Sequence, residues 1–345
     1  IVWGFLREEH GGVVTSQKLC DYAAKKGVRI IPGVGVRSYG GFCYETGRRE
    51  VTGETARWSL DQWLRKHPKF RAVDEKGEVR WWSHGNGDLE PYQHCDACPS
   101  RLELRDWYLE GIEWLYENFQ IGGVWLEMGD NGLICQCSQC VKRRGRQPDR
   151  GFAPLSYEDE ALWMPVIAQK ALNINPDSWV LLCQNLFYNQ SMVESPPELI
   201  KAMPRNSIVA WHVYDPKVDI EAVHRDCEAN PMWAQRVPPP EPRKKGEISV
   251  WAYGGQIHLV GIDGWPHHRQ IARAVQHGRE MGHTGICFYG EIGDNAGVTG
   301  NSKFQEINYL AMSEFCQEPD LTIEEFEARH SDLMARIKKS WKLLQ

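Results

Sequence analysis

A (β/α)8 barrel, the closed form of an α/β chain with a parallel sheet, is the fold class that the sequence predicts, and three observations lead to it. Short apolar runs alternate with amphipathic helical stretches almost throughout the 345 residues, the signature of successive βα units around a parallel sheet. Seven of these runs read as strands, at residues 1–6, 29–36, 123–128, 179–185, 208–214, 248–253 and 286–290. The competing open, doubly wound sheet needs a glycine-rich phosphate loop leading into a helix after an early strand, and "PGVGVRSYGG" at 32–41 leads into none. With the first strand outside this chain, residues 1–6 take barrel position two and residues 286–290 position eight.

Taken in order, the run at 1–6 is followed by a helical stretch at 16–26, for which Ser16 is a suitable N-cap. After the strand at 29–36 comes a long insertion, residues 37–103, rich in Gly, aromatic and charged residues. Loops of that length in compact domains are usually functional, and this one lies on the side where barrels keep their active sites. Helices follow at 104–118, at 159–172 with Asp159 as cap, at 198–202, at 220–229 and at 269–281. The proline-stiffened "VPPPEPRKK" at 237–245 reads as a spacer. The barrel is expected to occupy residues 1–320, and a C-terminal helical segment, 321–345, opens with a Thr322–Glu325 capping box.

A net charge of −6, with no basic run longer than Arg243-Lys244-Lys245, argues against nucleic acid and anionic membranes as partners. No apolar run reaches the ~20 residues of a spanning helix, and the first residues already read as a strand, so a soluble chain preceded by a missing N-terminal segment is expected. Fifteen tryptophans, twelve tyrosines and twelve histidines suit stacking on sugar faces as well as core filling. Cys20, Cys183, Cys287 and Cys316 stand alone in largely apolar surroundings among an odd total of eleven cysteines, which argues against a full disulfide framework.

In a barrel, reactive side chains come from the carboxyl ends of strands. The strand at 123–128 puts Trp125 and Glu127 on one face, with Asp130 just beyond, and the strand at 286–290 leads to Tyr289 and Glu291 on one face. The strand at 208–214 ends in His212, Tyr214 and Asp215, that at 248–253 carries Trp251 and Tyr253, and that at 179–185 ends in Asn185. Glycoside hydrolysis needs this inventory: a protonated carboxyl for the leaving oxygen, a second carboxylate, and aromatic and amide groups to hold the ring. Glu127 is the expected acid. Glu291 is the expected base with Asp215 as the alternative, and the positions of Glu127 and Glu291 on opposing walls predict inversion. A uronate carboxylate would need a cation, for which Arg7, His10 and Arg37 are candidates.

Two Cys-x2-Cys pairs, Cys95/Cys98 and Cys137/Cys140, would together make a tetrahedral zinc site, with Cys135 and His94 as further candidate ligands; reduced thiols or a disulfide are the alternatives. An all-thiolate zinc site is closed and structural, so no cofactor is expected in catalysis.

"GDNGLICQCSQC" at 129–140, the Ser/Tyr-led helix after it, "INPDSWVLL" and "PRNSIVAWHVYDP" resemble the α-glucuronidase-like and β-N-acetylhexosaminidase-like glycoside hydrolase barrels, above all their relatives with Cys-x-Cys-x2-Cys after strand four. The resemblance covers roughly residues 120–320, with the cysteine motif its most specific part. It implies a carbohydrate-active barrel, with its acid near Glu127, that cleaves a terminal uronic acid or N-acetylhexosamine. Hexosaminidases of this kind carry an adjacent Asp-Glu pair, whereas Glu127 and Asp130 are three apart, which argues against substrate-assisted cleavage. The competing classes are a non-catalytic carbohydrate-binding barrel and a metal-dependent deacetylase. The latter could use His212, Asp215 and His258, but no His-x-His or His-Glu-x2-His motif supports it.

Overall fold

The computed structural model describes residues 5–6, 12–43, 53–79, 95–127, 134–145, 157–184, 202–204, 207–213, 250–253, 268–280, 285–288 and 303–341. The chain divides into two compact units, Ile1–Val209 and Ala210–Gln345.

In the first unit, residues 5–6 form a buried turn where the sequence predicts strand. Helix α1, Gly12–Lys25, buries Ser16, Cys20 and Ala23, and the Ser16 hydroxyl donates to the carbonyl of Phe5 instead of capping the helix. Strand β1 is only Gly33–Gly35, shorter than the expected 29–36. The carbonyls of Ile30 and Pro32 already accept from Gly122 and Trp125, but Pro32 has no N–H to return, and the ladder starts only beyond it. Strand β2, Gly123–Glu127, is buried along its whole length, as a strand covered on both faces must be. It runs parallel to β1, with Gly33 opposite Trp125 and Gly35 opposite Glu127. On its other side lies β3, Trp179–Gln184, with Gly123 opposite Trp179 and Leu126 opposite Leu182.

The insertion carries structure of its own among the described residues. Helix α2, Leu60–Lys66, is capped by Ser59, whose hydroxyl accepts from the Gln62 N–H. Phe42 packs among Trp58, Trp107 and Tyr108. Helix α3, Leu104–Asn118, turns Leu104, Trp107, Tyr108, Ile112 and Leu115 inward, matching the predicted bounds. Gly111 on the same face lets Phe42 lie against the helix, since a Cβ there would sit 2.2 Å from the ring.

Helix α4, Ser138–Arg144, ends at Gly145 in the left-handed conformation. The predicted helix at 159–172 is two pieces: α5, Tyr157–Glu160, and α6, Met164–Ile174, which packs on α3. Asp159 is therefore not a cap. Its carboxylate is buried and paired with Arg143 and Arg144.

Further along the chain, β4 (Ile208–Val213), β5 (Val250–Tyr253) and β6 (Gly285–Phe288) run parallel, with Trp211 opposite Trp251 and Tyr253 opposite Phe288. Helices α7 (His268–Glu280), α8 (Lys303–Gln317), α9 (Ile323–Arg329) and α10 (Ser331–Trp341) share a core of Ile271, Val275, Ile307, Phe315, Phe326 and Ile337. The expected capping box starts α9: Thr322 Oγ1 accepts from the Glu325 N–H, and the Glu325 carboxylate accepts from the Thr322 N–H. Among the described residues no helix is long and apolar enough to cross a membrane. The predicted helix at 220–229 lies outside them, as does that at 198–202 except for Ala202.

Candidate functional site

The pleat of β2 brings Trp125 and Glu127 to the same face, and the structure joins them: Trp125 Nε1–H donates to Glu127 Oε2 at 2.8 Å. Glu127 is the last residue of the strand and is only 7% exposed. Its carbonyl accepts from the Val36 N–H at 2.7 Å, which ties the end of β2 to the turn leaving β1. That turn is wholly buried from Val36 to Cys43.

Arg37 (φ 67) and Tyr39 (φ 52) lie in the left-handed region, as do Gly40 and Gly41. Each non-glycine residue there costs about 1–3 kcal/mol and persists only where its surroundings over-determine it. Tyr108 supplies part of that constraint, because its hydroxyl accepts from the Arg37 N–H at 2.7 Å and donates to the Gly35 carbonyl at 2.8 Å. Burial pushes the Tyr108 phenol up, so it stays a donor at any ordinary pH. Gly35 N–H donates to Gly41 O at 2.9 Å and closes the turn.

Arg37, expected as a ligand for a uronate, has an internal partner instead. Its guanidinium donates to Glu160 Oε1 and, at 3.2 Å, to the Ala97 carbonyl, and it is buried. Burial opposes the Arg37 charge, but Glu160 and Asp159 outweigh it and hold the group protonated. Burial also pushes the Glu160 carboxyl up, against the pull of Arg37. This partner is remote in sequence: the carboxylate comes from α5, 123 residues away.

The thiol centre also differs from the expected ligand set. Cys98, Cys135, Cys137 and Cys140 bring their sulfurs within 4.8 Å of one another, with Cys98 Sγ at 3.7 Å from Cys137 Sγ and 3.5 Å from Cys140 Sγ. Cys95 lies outside this group, buried, with its N–H on Asp61 Oδ1. The backbone explains the exchange. Ala97 forms an antiparallel bridge with Arg71, and in extended chain residues three apart point to opposite faces, so only Cys98 of that pair can face the cluster.

Cys137 stands at the N-cap of α4 and Cys140 in its first turn. The Ser100 hydroxyl is 3.0 Å from Cys140 Sγ and accepts from Arg143 Nε at 3.3 Å. Hydrogen bonds from Cys135, Cys98 and Ser100 hold Cys140 well below the ordinary thiol range. Cys135, bonded to Cys140, is pushed up to about 12.

Glu127, Arg37 and the cysteines are therefore placed with their side chains. His212, Trp251 and Tyr253 are placed as backbone positions on β4 and β5, and Trp251 and Tyr253 share a face by register. Arg7, His10, His94, Asp130, Asn185, Tyr214, Asp215, His258, Tyr289 and Glu291 lie outside the described residues. Sequence reasoning missed Tyr108, Ser100, Arg143 and Glu160. Only their placement in three dimensions connects them to the site.

No protein family matches the chain, and no curated protein matches it. Among solved structures, an α-amylase from Lactobacillus plantarum aligns at a TM-score of 0.45 and 10% identity, over 88% of this chain and 64% of its own. For α-L-fucosidase isoenzyme 2 from Paenibacillus thiaminolyticus the values are 0.45, 13%, 88% and 39%. A glycoside hydrolase family 20 β-N-acetylglucosaminidase aligns at 0.35 and 10%, over 72% and 39%. The chain thus spans less than two thirds of the length of each of them, and likeness at this level assigns no family.

Proposed function

We propose that this chain is the catalytic part of an inverting glycoside hydrolase on a (β/α)8 barrel, with Glu127 as general acid. The observation that carries the reading is the carboxyl of Glu127, buried at the last position of a fully buried parallel strand and held by an indole N–H from the same face. A carboxyl placed there serves proton transfer to a leaving oxygen in the way that glycosidases require. Glu291 acts as the base that activates water, with Asp215 as the alternative. Asp130, His10, Asn185, His212, Tyr214, Trp251, Tyr253 and Tyr289 hold a terminal uronic acid or N-acetylhexosamine. With Arg37 engaged by Glu160, a uronate carboxylate falls to Arg7 and His10.

A structural zinc belongs to the same proposal. Zinc–sulfur bonds of about 2.3 Å in a tetrahedron place sulfurs about 3.8 Å apart, whereas a disulfide needs about 2.05 Å. The observed 3.5 and 3.7 Å separations match the former. Four thiolates leave no open coordination position, so the ion would be structural, and the chemistry belongs to the carboxylates.

The test is turnover of a panel of aryl uronides, aryl N-acetylhexosaminides and natural oligosaccharides. Release of the terminal sugar, seen by proton NMR first as the inverted anomer, is expected. Sugar binding without turnover across the panel would sink the enzyme reading in favour of a non-catalytic carbohydrate-binding barrel. Loss of an acetyl group without cleavage would favour a deacetylase.

A further inference from the structure

We infer that the four-cysteine centre is a clamp on the left-handed turn Arg37–Gly41 beside Glu127, which makes Ala97, Arg143 and Glu160 positioning residues. The inference rests on the zinc part of the proposed function and is independent of the glycosidase part. Two routes of bonded atoms join the thiolates to Arg37. The first is one peptide long: Cys98 follows Ala97, whose N–H donates to the Arg37 carbonyl at 2.8 Å and whose carbonyl accepts from the Arg37 guanidinium at 3.2 Å. The second runs from Cys140 through Ser100 to Arg143, from Arg143 to Asp159, and from the adjacent Glu160 to Arg37.

The ligand segments are both bound to the chain at Phe70–Val73 that runs between them. Ala72 N–H donates to Asp96 O, Cys98 N–H to Phe70 O and Gln136 N–H to Val73 O, each at 2.7 Å. A strained turn needs such redundancy, and groups bonded to metal ligands are what orient a metal site. Here the same groups carry that order outward to the end of β1. Holding four thiolates at their tetrahedral positions therefore holds Ala97, and Ala97 holds the backbone of Arg37.

The experiment is hydrogen exchange by mass spectrometry on the full chain, zinc-loaded and after chelation, with zinc measured by elemental analysis and cobalt substitution read by its thiolate charge-transfer absorption. One zinc per chain is expected, unchanged in Cys95→Ser. Stripping should lower protection about tenfold or more over residues 36–43 as well as 134–145, while α3 stays protected. Zinc-loaded Arg143→Ala should keep its metal, lose it faster to chelator, and exchange faster over 36–43. If stripping unfolds the whole unit, this loaded variant decides. Exchange over 36–43 that follows neither metal removal nor Arg143→Ala overturns the clamp while leaving the zinc site standing. A chain that takes up neither zinc nor cobalt overturns both.

Discussion

Replacing Arg37 by methionine separates its two readings, a substrate ligand and a buried structural cation. Its guanidinium side chain is 10% exposed and that of Glu160 0%, so the variant leaves a carboxyl without its bonded cation in a place water does not reach. Breaking one side of such a pair costs about 3–5 kcal/mol, whereas replacing both partners by apolar groups is often close to neutral. For a unit of about 200 residues, at about 2–4 °C per kcal/mol, the single variant should melt about 6–20 °C lower. The double variant Arg37→Met/Glu160→Met should recover most of the loss, so the cycle should show a coupling energy of about 3 kcal/mol or more.

The pH dependence has a definite sign. Burial already pushes the Glu160 carboxyl up, and without Arg37 only the weaker pull of Arg143 opposes that shift, so folded Arg37→Met binds a proton that the unfolded chain releases. Its stability then falls as pH rises through the window above the ordinary carboxylate range, and acidification rescues it. Urea unfolding at several pH values measures both effects. A variant within about 0.5 kcal/mol of the parent, with no rescue by acid and with weakened binding of a uronide, would refute the buried-pair account and restore Arg37 to the substrate.

Gly111→Ala sets helix propensity, worth about 1 kcal/mol, against overpacking of about 1–3 kcal/mol, because the new Cβ would meet a Phe42 ring wedged among Trp58, Trp107 and Tyr108. A net loss in the urea midpoint is expected, and a gain would mean that the ring can retreat. Thr322→Ala should cost about 1 kcal/mol through loss of the cap. The Thr322 N–H holds the Glu325 carboxyl below its usual range, so that contribution is present above the unfolded value and fades as pH falls through the folded one. Trp125→Phe removes the indole donor that holds the Glu127 carboxyl, so kcat should fall while KM changes little; an unchanged kcat would detach Trp125 from the acid. Trp251→Ala should weaken sugar affinity more than stability, and unchanged affinity in calorimetry would remove Trp251 from the sugar platform.

What the sequence made legible is what depends on local periodicity. Helix α3 follows from its apolar spacing, β2 and the shared face of Trp125 and Glu127 from strand alternation, and the start of α9 from the Thr322–Glu325 pair. What it hid depends on partners far along the chain. β1 reads as eight residues by composition, but Pro32 cuts its ladder to three. Asp159 has the chemistry of an N-cap, yet two arginines in the last turn of α4 claim its carboxylate. Arg37 sits where a loop residue would meet substrate, and nothing near it in sequence announces Glu160. The Cys-x2-Cys spacing suggested Cys95 as a ligand, while the bridge at Ala97 turns it away and admits Cys135.

The central claim is that Glu127 delivers a proton to the leaving oxygen, and comparing Glu127→Gln with the parent enzyme across aryl glycosides of graded leaving-group acidity tests it most directly. A proton donor matters most where the leaving group is poor. Turnover of natural oligosaccharides should be abolished in Glu127→Gln, activated nitrophenyl glycosides should be cleaved far closer to the parent rate, and dependence on leaving-group acidity should become steeper. An equal loss across the whole series, or no loss at all, would contradict it.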